Sequence, residues 1–191
     1  MRDIFALEPA TQILKDDSYV ISYPYLLEYF SSKSSLEAGD VVCGAHMVYG
    51  WMPTILELYP ERGRIGLDVA ALTLNKAKKG SELPNNEIEA LAALVNNSLV
   101  GASKLLHFVA PNHFPIWDSK VYSFVHENRP HHYRVNSVER YKQYVALLKD
   151  LATKQEFPNF HESVQKKIGY NVSPLRALEL IIFLNAPVYG G

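Results

Sequence analysis

The sequence predicts an all-α fold, and three observations carry that prediction. Apolar residues recur at i, i+3 and i+4 along much of the chain, alternating apolar/polar runs are short, and neither Asn-Gly nor Asp-Gly occurs as a hairpin signal. The 191 residues, 48% apolar and 20% charged, are enough for one well-filled core. No tract is repetitive or rich in Gly, Ser or Pro, so residues 1–191 read as a compact single domain of roughly eight to ten helices.

Taken in order, Pro24 is placed to open a short helix whose Leu26, Leu27 and Phe30 share a face. Asp40 reads as the N-cap of VVCGAHMVYGWM, a nearly all-apolar stretch that Pro53 interrupts and that is expected to be the central helix. After an ERGRIG turn, a helix over 67–79 is closed by Gly80. Asn85 or Asn86 caps the next, with Ile88, Leu91, Ala92 and Val95 facing inward. A break at Asn96-Asn97-Ser98 leads into LVGASKLLHFVA, which Pro111 ends. Asp118 starts a further helix with Val121, Tyr122 and Val125 on one side. Asn136 or Ser137 caps a long helix over about 138–152. Ser173 followed by Pro174 opens the last, which carries Leu178, Ile181, Ile182 and Leu184.

Nineteen basic and twenty acidic residues give a net charge of −1, which excludes a strongly basic nucleic-acid coat but leaves room for a local basic face. No apolar run approaches the roughly 20 residues of a membrane helix, and MRDIFALEPATQ has no apolar stretch of the kind a signal peptide needs. A lone cysteine, Cys43, closes no internal disulfide and holds no cluster. These features point to a cytoplasmic, reducing compartment, with no membrane association, no cofactor and a monomer as the default.

The chemistry concentrates in VGASKLLHFVAPNHFPIWDSKV, residues 100–121. Gly101 permits close backbone approach, and amides at the start of the helix it opens would suit a phosphate. Pro115 stiffens the approach to Asp118, a carboxylate flanked by Trp117 and Lys120. Asp118 equally meets the requirements of an N-cap, and that purely structural role stands beside the catalytic one.

The string His113-Phe114-Pro115-Ile116-Trp117-Asp118-Ser119-Lys120-Val121 resembles the catalytic-aspartate segment (113–121) of helix-hairpin-helix (HhH-GPD) DNA glycosylases, whose adenine-DNA members carry "HFPI-x-D-x-x-V". Leu99-Val100-Gly101-Ala102-Ser103 is similar to the second half of that family's "LPGVG-x-x-T-A" hairpin, giving a hairpin-like turn at about 98–104. The first hairpin glycine is absent, and the helix between hairpin and aspartate is shorter by roughly one turn. The four-cysteine iron–sulfur cluster of some members cannot form with one cysteine.

The resemblance implies a glycosylase-like helical fold, DNA as partner, and hydrolysis of an N-glycosidic bond after the base has left the stack. Asp118 would stabilise positive charge building at C1′ and orient the attacking water. Gly101, Ser103 and Lys120 would hold DNA phosphate. His46, Tyr49, Trp51 and Trp117 are the candidates for the base pocket, although buried aromatics and a satisfied core histidine would explain the first three equally well. In bifunctional relatives a hairpin lysine attacks C1′. Matching the turn at Gly101 puts Ser103 rather than Lys104 at that position, so a monofunctional enzyme is expected, with Lys104 catalytic only in the bifunctional case.

The stretch 126–134 offers Arg129, His131 and Arg134 as DNA-contacting side chains, against the commoner outcome of a solvated loop. The adjacent pair His131-His132 has no conventional ligand spacing, so no metal site is expected. For substrate, the small domain favours a loosely stacked modified base, alkylated or hypermodified, with modified cytosine in phage DNA (a phage-defence role) as one concrete case. Adenine or oxidised-base excision is the alternative the motif suggests, and a non-catalytic helical nucleic-acid- or protein-binding module is the alternative from another class.

Overall fold

A computed structural model of the chain describes residues 1–51, 54–60 and 65–187, and these are helical with no strand among them. The helices are α1 (Ile4–Leu7), α2 (Ser18–Ser31), α3 (Ala38–Trp51), α4 (Leu67–Lys78), α5 (Asn85–Leu94), α6 (Leu99–Val109), α7 (Ser119–His126), α8 (His132–Val135), α9 (Val138–Leu151), α10 (Phe157–Ile168) and α11 (Pro174–Leu184). A single 3-10 turn, Glu8–Ala10, follows α1. Pro53 and the Glu61–Arg64 part of the ERGRIG turn lie outside the described residues.

Two helices form the centre. Nine of the eleven residues of α6 are buried, and it packs against α2, α3, α4 and α5. Eight of the eleven residues of α11 are buried, and it packs against α1, α7, α9 and α10. The apolar α3 is therefore not the central helix: Cys43, His46 and Gly50 on it are exposed. Its close approach to α2 depends on small residues such as Gly44, where a Cβ would meet the Phe30 ring.

Several caps hold where expected. Asp118, Ser137 and Ser173 each accept a backbone N–H from the first turn of α7, α9 and α11, and Ser98, read only as part of a break, does the same for α6. Gly80 ends the α4 region at φ 79°. Others differ. Asp40 is not an N-cap. It sits in the first turn of α3, where its carboxylate accepts the Glu37 N–H at 2.9 Å and pairs with Lys33 at 2.8 Å, so the helix begins two residues earlier. Helix α5 starts after Pro84 without any side-chain cap, so neither Asn85 nor Asn86 has that task. Leu184 is exposed rather than part of the core face of α11.

Pro24 does not open a helix but lies inside α2, which Asp17 caps. A proline there has no N–H for the Val20 carbonyl. The Tyr170 hydroxyl donates to that carbonyl at 2.9 Å and replaces the missing bond. Helix α10 has no counterpart among the expected elements, although Phe157, Phe160, Val164 and Ile168 line its buried face and Gly169 ends it at φ 94°.

Candidate active site

The tight turn between α5 and α6 precedes the 98–104 stretch where a hairpin-like turn was expected. Asn96 and Asn97, both at positive φ (54° and 49°), make the turn between α5 and α6, and helix already begins at Leu99. The turn is covered: Leu58 and Val95 form an antiparallel bridge, and the Asn96 side chain bonds the backbone of Ile55 and Glu57. The first amides of α6 are also occupied, Leu99 N–H by the Asn136 side chain at 3.1 Å and Gly101 N–H by Ser98 Oγ at 3.2 Å. Gly101 itself is buried, and a Cβ there would overlap the Tyr49 hydroxyl. The anion site expected at Gly101 is therefore closed by the protein's own groups.

Ser103 is fully buried and serves the loop instead of a phosphate. Its hydroxyl lies 2.9 Å from the Val100 carbonyl and 3.0 Å from the Trp117 carbonyl, and it accepts the Trp117 N–H at 3.1 Å. Three further bonds fix the same segment. His107 Nδ1 donates to the Phe114 carbonyl at 2.8 Å, Tyr141 Oη donates to the Pro115 carbonyl at 3.1 Å, and Trp117 Nε1 donates to the Val135 carbonyl at 2.7 Å. Because a carbonyl only accepts, His107 carries its proton on Nδ1, and Nε2 accepts from the Tyr23 hydroxyl at 2.8 Å. Burial holds this imidazole neutral by pushing its pKa down to about 3, with the nearby Arg176 charge acting the same way.

These anchors deliver Asp118 to the wall of a cavity of about 350 Å³. One carboxylate oxygen caps α7 by accepting the Val121 N–H at 2.9 Å; among the described residues no hydrogen bond reaches the other. The residue is 9% exposed. Lining the same cavity are Lys104 from α6, Trp51 from the end of α3, and Arg176 and Glu179 from α11. The stretch 12–20 and the apolar side chains Leu180, Phe183 and Leu184 complete the enclosure.

Lys104 thus shares a cavity with Asp118, while Ser103 points into the core. Helix α6 begins before Gly101 rather than after it, and Lys104, expected to point elsewhere, lines the cavity. The Lys104 ammonium lies 5.7 Å from the Trp51 ring centre. Burial lowers its pKa from the ordinary lysine value, against the opposing pull of Asp118 and Glu179. On α11 the Arg176 guanidinium donates to Glu179 Oε2, both side chains being buried. Burial raises the Glu179 carboxyl well above the usual range, Asp118 adds to the rise, and Arg176 and Lys104 oppose it.

Of the four residues expected to line a base pocket, only Trp51 lines this cavity. His46 is exposed on α3, with Nδ1 2.9 Å from the Val42 carbonyl. Tyr49 is buried and donates to the Val95 carbonyl at 3.0 Å. Trp117 is fully buried among Tyr122, Tyr141 and Tyr144.

Lys120 and Arg129 line a second concavity that shares Phe183 and Leu184 with the first. His131 stacks on Tyr133, and Arg134 Nε donates to the Tyr133 hydroxyl at 3.0 Å; neither lines these two concavities. Arg176 and Glu179 were not among the expected site residues. Two charges three apart within the otherwise apolar run LRALELIIFL are the signal that marks them.

No family model, curated protein or solved structure matches this chain. Among the described residues no helix is long and apolar enough to cross a membrane.

Proposed function

We propose that this protein is a DNA N-glycosylase with a helix-hairpin-helix type of fold, in which Asp118 is the catalytic carboxylate and Lys104 the nucleophile. The observation that carries the reading is the meeting of these two side chains in one aromatic-walled cavity. A flipped, modified base stacks against Trp51, and the free Asp118 oxygen stabilises the positive charge that builds at C1′ as the glycosidic bond breaks. Lys104 adds to C1′ as the neutral amine, a form favoured by its burial, and releases its proton to solvent. In the resulting N,O-acetal the nitrogen lone pair forms the C=N bond as the C1′–O4′ bond breaks, and O4′ takes a proton from solvent. The Schiff base that results makes the enzyme bifunctional rather than monofunctional. Lys120 and Arg129 beside the cavity suit contact with DNA phosphate.

The test is excision from duplexes carrying alkylated, hypermodified and oxidised bases, scored as abasic sites and as covalent complexes trapped with borohydride. Asp118→Asn is expected to lower excision on the order of 10²-fold or more. Lys104→Ala is expected to abolish trapping. A second reading, a helical DNA-binding module, draws on the role of Asp118 as cap of α7. DNA binding without any abasic site from the wild type would establish that reading instead.

A further inference from the structure

Asp118 and Lys104 account for two of the charged groups lining the cavity, and Arg176 and Glu179 have no task in that chemistry. A buried ion pair is seldom worth more to stability than apolar side chains of the same volume. This pair is also incompletely satisfied. Arg176 Nε is buried without an acceptor, and among the described residues no hydrogen bond reaches Glu179 Oε1. Glu179 therefore resembles Asp118 in one respect: one oxygen is held by the protein and the other is left for an occupant of the same cavity.

The surroundings separate the roles of the two carboxylates. Asp118 lies at the start of α7, where it accepts the Val121 N–H. Glu179 lies on the interior helix α11. The titratable groups bearing on it are Arg176 on its own helix, Asp118 ahead of α7, Lys104 on α6, Tyr23 on α2 and Tyr144 on α9. Burial and the Asp118 charge favour its protonated form more than the two cations oppose it. A carboxyl that keeps its proton, with one oxygen open to the cavity, is suited to donating that proton to an occupant.

We propose that Glu179 is the general acid that protonates the departing base while Arg176 holds an acceptor atom of that base, so that the substrates are bases that are uncharged before excision. The inference rests on the glycosylase reading. As the C1′–N bond breaks, its electron pair passes to the base nitrogen, and the Glu179 carboxyl proton moves to a ring nitrogen or carbonyl of the base. The base leaves neutral, and the Glu179 carboxylate is stabilised by Arg176. The proton released when the Lys104 amine adds to C1′ restores the acid through solvent. A base already cationic, such as an N7-alkylated purine, leaves neutral without that proton, and the fixed charge of Arg176 repels it. The cavity thus suits hypermodified or oxidised bases in preference to cationic alkylated ones.

The experiment compares wild type with Glu179→Gln on duplexes carrying hypoxanthine, 8-oxoguanine, uracil or 5-hydroxymethylcytosine, and on a duplex carrying 7-methylguanine. Wild type is expected to release at least one neutral base, with a rate that falls as pH rises through the ionisation of Glu179. The variant should lose about 10²-fold or more of that rate together with its alkaline limb. Its affinity for a duplex carrying a tetrahydrofuran abasic analogue should stay within about threefold of wild type, which excludes a collapsed cavity. Wild-type release of 7-methylguanine alone overturns the proposal. So does a variant that keeps the alkaline limb, or one that loses rate and abasic-analogue affinity in parallel. These outcomes leave the glycosylase reading intact, whereas a wild type that releases no base from any duplex overturns both.

Discussion

The Tyr49 hydroxyl occupies the space that a Cβ on Gly101 would need, so α3 and α6 meet at a contact that only glycine permits. The same hydroxyl donates to the Val95 carbonyl at 3.0 Å, at the end of α5. Gly101→Ala is expected to destabilise the fold by about 1–3 kcal/mol through overpacking. In a double-mutant cycle with Tyr49→Phe, part of that loss should be recovered, because the nearest atom to the new methyl is then gone. Urea midpoints of the four proteins measure it, and strictly additive losses would contradict the contact.

Tyr170 repairs the break that Pro24 makes in α2. Removing its hydroxyl leaves the Val20 carbonyl without the donor that replaces the helical N–H. Tyr170→Phe should therefore cost about 1–2 kcal/mol in chemical denaturation. In Pro24→Ala the restored N–H competes for the same carbonyl, and the Tyr170→Phe penalty should shrink there. An equal penalty in both backgrounds would show that the hydroxyl does not act through Val20.

Ser103 clamps the residue that precedes Asp118. Ser103→Ala strands the buried Trp117 N–H and should lower stability by about 1–3 kcal/mol. If Asp118 carries the excision chemistry, kcat should fall while KM stays near the wild-type value, since substrate contacts are untouched. Loss in KM alone would argue that Ser103 does not position the carboxylate.

Protonation of His107 opposes folding. Its folded pKa of about 3 lies below the ordinary 6.5, so between these values the unfolded chain binds the extra proton. Stability from this group is present above pH 6.5 and is lost as pH falls toward 3, by up to roughly 1.4 kcal/mol per pH unit. His107→Gln keeps a donor and an acceptor without the titration. The stability advantage of wild type over this variant should narrow steadily between pH 7 and pH 4. A gap that stays constant across that range would rule His107 out as the titrating group.

Four of the expected helices have starts marked by local chemistry. Ser98, Asp118, Ser137 and Ser173 bond amides within three residues of themselves, so the information sits in the sequence nearby. Pro24 was misread because its tolerance depends on Tyr170, 146 positions along by residue number. Gly101 was read as a phosphate turn because a close-approach glycine looks the same whether the approaching atom belongs to DNA or to Tyr49. Asp118 and Trp51 are singled out by the sequence and do line the cavity, and Lys104, given a role only in the bifunctional case, lines it as well. Arg176 and Glu179 are not singled out, since which wall of α11 faces the cavity is decided by packing against α1, α7, α9 and α10.

The buried bonds of Ser103, His107, Tyr141 and Trp117 all fall on the loop side of the cavity, and none touches the outer face of α11. Leu180, Phe183 and Leu184 on that face contribute apolar surface to the cavity. The two walls are therefore separable for an engineer or for natural drift. Exchanging side chains at 180, 183 and 184 can reshape what fits inside without touching the buried bonds that place the Asp118 segment.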